Sequence, residues 1–355
     1  MPVCKVKSEN KILDEDLNRF ISSFPFISRI KGKSFLVTGA SGLIGSLLVK
    51  CLLRLNDHFN AEISITTMAR DRDKLERMIG SQLKNVILQD IAQPLDVHQK
   101  VDYVFHCAAV TDSKKMTQCP AEVLMSMILG TKNLLDFSKE HQIEGMVYLS
   151  SIETYGTFEE ECLIRENEAG YIDPLNIRSC YPLGKKSSEC LCRSYFEEYG
   201  VPVKIARLTQ TFGAGVSVYD NRVFAQFAKS AMNGEAIELH TKGDSSKPYC
   251  YTMDALQALF YILLKGHPGD AYNVANPASY ISILEMANMV AERFSGGLSK
   301  VKIDLREDMG YAPSTKSRLD VSKLMELGWQ PNYSLEEMFA RYMAYMKEEN
   351  ERTDY

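Results

Sequence analysis

The sequence predicts an α/β chain: a doubly wound parallel sheet with helices on both faces, followed by a smaller C-terminal lobe. Three observations carry this expectation. Short β-rich runs alternate with helically periodic segments from residue 33 to residue 209, the pattern of a parallel sheet covered on both sides. Three glycines in TGASGLIG (38–45) fall between the first run and the first helical segment. After residue 210 the alternation becomes irregular, so a second lobe of different construction begins there.

The elements come in order along the chain. DEDLNRFISSFPFISRI (14–30) has apolar residues at helical spacing and is expected to pack on the domain after it. KSFLVTG is the first strand and LIGSLLVKCLLRL the first sheet-covering helix. AEISITTMA is the second strand, DRDKLERMI a helix start, NVILQD the third strand and VDYVFHCAA the fourth. PAEVLMSMILGTKNLLDFSKEH (120–141) is a long helix and EGMVYLS the fifth strand. RSCYPLGKKSSECLCRSYFEEYG (178–200) is a second long helix, closed by Gly200, and VPVKIARL is the sixth strand. Beyond it, NRVFAQFAKSAMNG, SYISILEMANMVAERF and SLEEMFARYMAYMKEEN read as helices, with AIELHT and SKVKIDL as short strands. The expected division is a helical extension over 1–31, a dinucleotide-binding domain of Rossmann type over 32–210, and a mainly substrate-binding lobe over 211–350 whose pieces return to the main sheet.

Composition removes several function classes. The 355 residues are 45% hydrophobic and 25% charged with a net charge of −5, ordinary for a globular chain. No basic run resembles a nucleic-acid footprint, so a nucleic-acid partner is not expected. No apolar stretch reaches the roughly 18–20 residues of a membrane span. The N-terminal stretch lacks an apolar secretory core. Nine cysteines at irregular spacing read as reduced thiols, not as a zinc site or disulfides, so the expected location is cytoplasmic and no metal is expected.

Glycines between a strand and a helix allow backbone N–H groups to approach a pyrophosphate at the helix N-terminus. Here Gly39, Gly42 and Gly45 are spaced GxxGxxG rather than GxGxxG, and Ser41, Leu43 and Ile44 complete the turn. At the end of the second strand, where NAD binders hold an acid for the ribose 2′-hydroxyl, Ala69 is followed by Arg70, a side chain suited to a 2′-phosphate. The cofactor expected is therefore NAD(P), with NADP favoured. Asp90 and Ile91 after the third strand are placed to border the adenine. Cys107, Ala108 and Ala109 should wall the cleft after the fourth, where His106 reads as a packed structural histidine.

At the reacting end, Tyr181 and Lys185 in YPLGK are four apart and share one face of a helix. A phenol has a pKa near 10 and is a poor base at neutral pH. A nearby ammonium and a nicotinium charge would favour the phenolate. Ser151, at the mouth of the fifth strand in YLSSIETYG, supplies a hydroxyl for a substrate oxygen.

With these residues in view, the chain resembles an extended short-chain dehydrogenase/reductase of the nucleotide-sugar epimerase/dehydratase family. The likeness runs from about 33 to 345 and rests on TGASGLIG, HCAA, GTKNLL, YLSSIETYG, YPLGK, RLTQTFGAG and LGWQP. ENEAGYIDPLNIRSCYPLGKKSSECLC is particularly similar to the UDP-glucuronate decarboxylases. The resemblance implies oxidation of a nucleotide-linked sugar at C4, with Tyr181 as base and Ser151 and Lys185 in support. The 4-keto intermediate then allows epimerisation, dehydration or decarboxylation before the cofactor is regenerated. It implies a glutamate at 153 close to the sugar's C5 in dehydratases and decarboxylases, and a homodimer packed through the two long helices. It implies Gln210, Arg222 and Lys247 on the substrate, with Arg178 and Arg318 as further candidates.

The chain also departs from the family. Ile152 replaces the acid of dehydratases and the serine of decarboxylases. Lys247 replaces an arginine and so loses a bidentate fork. Met127 and Gln210 replace asparagines. Glu153 inclines the reading to lyase chemistry, while Ile152 and Lys247 leave 4-epimerisation close behind. Arg70 is the feature that favours an NADPH-dependent carbonyl reductase. An intact Ser151, Tyr181 and Lys185 count against a cofactor-binding protein without turnover.

Overall fold

The computed structural model describes residues 10–353 except 82, 96, 98 and 307–313. The first nine residues of the N-terminal extension, and 307–313 of the C-terminal lobe, therefore lie outside the described residues. Helix α1 (Lys11–Ser22) starts at Asn10, whose side chain accepts from the backbone N–H groups of Ile12 and Leu13. Its Leu13, Leu17, Phe20 and Ile21 recur at helical spacing and are buried. A single turn, α2 (Ile27–Ile30), leads into the sheet.

Strand β1 (Ser34–Thr38), helix α3 (Leu43–Phe59), β2 (Ser64–Ala69), α4 (Arg72–Ile79), β3 (Asn85–Leu88) and β4 (Tyr103–His106) alternate as the periodicity predicts. A short helix α5 (Ser113–Gln118) precedes the long α6 (Pro120–Glu140), which has proline in its first turn, where a missing N–H is harmless. Strand β5 (Gly145–Ser151) runs into a 3₁₀ turn (Ile152–Tyr155), and β6 (Cys162–Ile164) comes next. A second 3₁₀ turn (Ile177–Ser179) leads into α7 (Cys180–Tyr199). The helix expected from 178 thus begins two residues later. Gly200, at φ 72°, closes it ahead of β7 (Val203–Leu208).

The rest of the chain holds β8 (Gln210–Phe212), α8 (Val223–Asn233), β9 (Ile237–Leu239), β10 (Ser246–Tyr251), α9 (Thr252–Lys265), β11 (Ala271–Val274) and β12 (Asn276–Ser282). It ends with α10 (Ile283–Phe294), β13 (Val301–Ile303), β14 (Ser317–Leu319), α11 (Ser322–Glu326) and α12 (Leu335–Thr353). The segment read as helix from 279 is strand up to Ser282. There the helix starts on a capping box in which Ser282 and Glu285 satisfy each other's backbone N–H groups.

The central sheet has seven parallel strands in the order β11-β7-β5-β4-β1-β2-β3. The order reverses between β1 and β4, which opens a crevice beyond the strands' carboxyl ends. Helix α9 is buried almost all round and packs against β5 and β7, with α1 and α3 also touching it. The largest apolar cluster lies on this face, and a second cluster fills the opposite face under α6 and α7. A buried carboxylate clasps the chain's two ends together. Asp16 of α1 accepts from Arg341 Nε of α12 at 2.6 Å and from the Tyr251 hydroxyl. Burial pushes this carboxyl above the usual range, and both partners act in the opposite direction.

Candidate active site

The sheet delivers the sequence-predicted residues to one end. The glycine turn leaves β1, Arg70 follows β2, Asp90 follows β3, Cys107 follows β4 and Ser151 ends β5. Gly39 has φ 65°, and a Cβ there would come within 2.6 Å of the Ala108 backbone nitrogen. A Cβ on Gly45 would lie 2.4 Å from the Gly39 carbonyl oxygen. These two glycines let the turn sit against the β4 loop and let α3 approach the strand. Gly42 differs: it is exposed, and its Cβ would meet only the Gly39 carbonyl oxygen, at 3.2 Å. It starts α3 with no side chain capping the first N–H groups. The turn therefore fits a pyrophosphate, with the backbone N–H groups of Leu43 and Ile44 as the donor set, the Gly42 N–H being taken by the Gly39 carbonyl at 2.9 Å. Ser41, Leu43 and Ile44 are each half-buried around it.

Arg70 is exposed at the rim, its Nη1 3.8 Å from Asp90 Oδ2. Asp71 does not compete for a ribose, because its carboxylate caps α4 at the Lys74 N–H. Asp90 accepts from the Ala92 N–H at 2.9 Å. Ile91 is buried against Gly130 of α6, and Asn133 donates to its carbonyl at 3.0 Å. His106 is buried between Thr38 Oγ1 at 2.9 Å and Thr131 Oγ1 at 3.2 Å. Burial, then the Lys185 charge, pushes its pKa down to about 3, so it is a neutral packed imidazole. Cys107, Ala108 and Ala109 line the crevice half-buried. The Cys107 thiol is pushed up to about 12 by burial, which makes it unreactive.

Tyr181 lies in the first turn of α7 and Lys185 one turn later, both buried. Lys185 Nζ donates to the Leu149 carbonyl at 2.6 Å and sits 4.9 Å over the Tyr148 ring and 6.0 Å from the Tyr181 ring centre. Burial lowers its pKa to about 8, which leaves it mostly charged at neutral pH. Ser151 is buried and starts the 3₁₀ turn, its Oγ accepting from the Glu153 N–H at 3.2 Å. Its hydroxyl lies close enough to the Tyr181 phenol to influence its ionisation. The phenol's pKa is raised to about 12, by burial first and by Glu153 second, while Ser151 and Arg178 act downward. Lys185 is not among the groups that lower the phenol, its ammonium being turned to a carbonyl, and the nicotinium charge that the expectation also invokes would come with the bound cofactor.

Glu153 and Arg178 meet here: Nη2 stands 3.6 Å from Oε2. Lys247, from β10, feels the Glu153 and Arg222 charges, and burial lowers its pKa. It makes no hydrogen bond or ion pair among the described residues. Arg222 is engaged by Asp220, Nη2 to Oδ2 at 2.7 Å, and lies over the Phe224 ring. Gln210 pairs in register with Tyr249 of β10 and is half-buried. Arg318 is directed elsewhere, over Tyr280 at 5.7 Å. Met127, in place of the family's asparagine, packs where a Gly184 Cβ would stand 2.4 Å from its Cε, and so forms an apolar wall between α6 and α7. Ile152 turns toward the cluster of Tyr155, Ile164 and Leu319 and presents no polar group.

One supporting network lies beyond the sequence expectations. Glu189, one turn after Lys185, accepts from Ser150 Oγ at 2.5 Å and from Arg207 Nη2 at 2.6 Å. Its signal is the spacing of Tyr181, Lys185 and Glu189 on a single helix face. No described helix is long and apolar enough to cross a membrane, and the described residues hold no cluster of metal-ligating side chains.

A glycine turn at a reversal of strand order, facing a Ser–Tyr–Lys group, defines an extended short-chain dehydrogenase/reductase with a Rossmann fold. The NAD dependent epimerase/dehydratase family model matches residues 35–275, and the chain belongs to that family. It is an enzyme of the nucleotide-sugar epimerase/dehydratase class. A similar curated relative is UDP-glucuronic acid decarboxylase 6 of Arabidopsis thaliana, 30% identical over 307 residues and covering 85% of each chain. Among solved structures, UDP-glucose 4-epimerase of Thermotoga maritima with UDP-glucose superposes with a TM-score of 0.75 at 22% identity, covering 89% of this chain and 99% of that one. The dTDP-glucose 4,6-dehydratase of Streptomyces venezuelae, with NAD bound, gives 0.72 at 20% identity, covering 90% and 98%.

Proposed function

We propose that the protein oxidises a nucleoside-diphosphate sugar at C4 and decarboxylates it, the sugar being a uronic acid. The observation that carries this reading is Lys247: although it lacks the fork of the family's arginine, it is a partly buried ammonium with no ion-pair partner among the described residues, within reach of the Glu153 charge. A cation in that position calls for a substrate anion. A bound nicotinamide cofactor supplies a hydride acceptor, then the hydride donor, and a positive charge near the phenol. Tyr181 takes the C4 hydroxyl proton and returns it at the end, with Ser151 holding the same oxygen. Lys185 keeps a positive charge under the phenol. With a ketone at C4, a carboxylate on C5 is β to the carbonyl, so carbon dioxide leaves and the electron pair passes into an enolate. C5 then takes up a proton from a water molecule at Glu153, which completes the replacement of the carboxylate by hydrogen.

Arg70 supports NADP as the cofactor, since Ala69 removes the acid that would hold a free ribose hydroxyl. Arg222, Gln210 and Lys247 serve the nucleotide and sugar, and exposed Met125 and Leu129 on α6 support a homodimer formed along α6 and α7. Ile152 favours the second reading, 4-epimerisation, because it offers nothing to hold a carboxylate.

The test is incubation with UDP-glucuronate, UDP-glucose or dTDP-glucose and no added reductant, following product mass. Loss of carbon dioxide from the uronate is expected. Loss of water would indicate a dehydratase, and a new sugar of unchanged mass an epimerase. Stoichiometric consumption of added NADPH would indicate a reductase. Cofactor released from the purified protein should be NADP, and finding NAD would remove the Arg70 argument.

A further inference from the structure

We propose that Arg178 is the positioning residue that holds the Glu153 carboxylate beside Tyr181 and offsets its charge there. The two residues lie on separate 3₁₀ turns, Ile152–Tyr155 after β5 and Ile177–Ser179 before α7, which the fold brings together at the phenol. Arg178 Nη2 stands 3.6 Å from Glu153 Oε2, and the guanidinium carbon is 6.0 Å from the Tyr181 ring centre. An arginine that merely capped a helix or tied a loop would direct its donors to carbonyl oxygens. This one does not. Its Nη1 is buried without a hydrogen-bond partner among the described residues, and Glu153 is its one ion-pair partner among them, the two side chains being 39% and 46% exposed. The turn itself is held by other means: Asn176 caps it, accepting from the Arg178 backbone N–H at 2.9 Å.

The arrangement answers a problem that Glu153 creates. A carboxylate beside the phenol opposes the phenolate on which proton abstraction depends. The charged and titratable groups around Tyr181 are Glu153, Arg178, Lys185 and Tyr148, with the Ser151 hydroxyl and the thiols of Cys119 and Cys180, while α5 and α6 present Met116, Val123 and Met127. Glu153 is the anion in that set, and Arg178 is the cation that reaches both it and the ring. Lys247 also feels the Glu153 charge. Arg178 therefore lets the site keep an acid for the sugar without disabling the base. The inference rests on the proposed role of Tyr181 as base but not on which sugar is used.

The experiment is a pH titration of Tyr181 in the full-length, cofactor-loaded protein by NMR of ring-labelled tyrosine, the resonance being assigned by its loss in Tyr181→Phe. Arg178→Ala should raise the ionisation of Tyr181 by about one pH unit, and Arg178→Lys should restore most of it. In a Glu153→Gln background, removing Arg178 should produce less than about half that shift. An unmoved titration, or equal shifts in both backgrounds, overturns the proposal. Should the alanine variant fail to fold, Arg178→Gln carries the same expectation. No sugar is present in the titration, so a failed decarboxylation assay leaves this result standing.

Discussion

Replacing Tyr181 with phenylalanine is expected to lower turnover by roughly 10²–10⁴-fold, the range for loss of a positioned acid–base group. The fold should survive. The ring is buried and phenylalanine fills the same space, so what is lost is the hydroxyl alone, at a cost of about 1 kcal/mol or less. Cofactor content should be unchanged, because the glycine turn and Lys185 do not depend on the phenol. Steady-state rates and cofactor extraction on the same preparation check both halves. A Tyr181→Phe protein that turned over at the wild-type rate would remove the proposed base from the mechanism.

The second large effect is on stability. Arg207 and Glu189 form an ion pair with side chains 14% and 8% exposed. Glu189→Ala leaves the guanidinium buried without its partner and should cost about 3–5 kcal/mol in denaturant unfolding. It also strips Ser150, on β5 next to Ser151, of its acceptor. Arg207 lies 4.7 Å over the Tyr155 ring, in the same 3₁₀ turn as Glu153, and donates to the Glu166 carbonyl at 2.8 Å. The network thus ties α7, β5, β7 and the Glu153 turn into one support. Glu189→Gln keeps a hydrogen-bond acceptor but not the charge and should fall between the two. A loss below about 1 kcal/mol in the alanine variant would mean that Arg207 finds another partner.

The main alternation of strands and helices is legible in the sequence because short apolar strands, buried along nearly their whole length, alternate with helices that carry an apolar stripe. Helix α9 is not, because it is apolar on nearly every side and a helix buried all round loses the periodic signature. Strand β11 escapes for a related reason: it is short, and it is defined by its pairing with β7 rather than by its own pattern. In the site, the glycine turn and the Tyr181–Lys185 pair are readable because their spacing is local. The Glu153–Arg178 contact and the approach of Lys247 are not, since they depend on two 3₁₀ turns and a strand from the second lobe meeting in space. The burial that raises the phenol's pKa is hidden for the same reason, since it is set by tertiary packing and cannot be read from a helix face.

The central claim is that the sugar is oxidised at C4 and that the same hydrogen returns to it. UDP-glucuronate carrying deuterium at C4, incubated with the protein and no added reductant, tests this most directly. The predicted product has lost carbon dioxide and retains the deuterium on the sugar. Deuterium released to the solvent, or turnover only when NADPH is supplied and consumed, would contradict it.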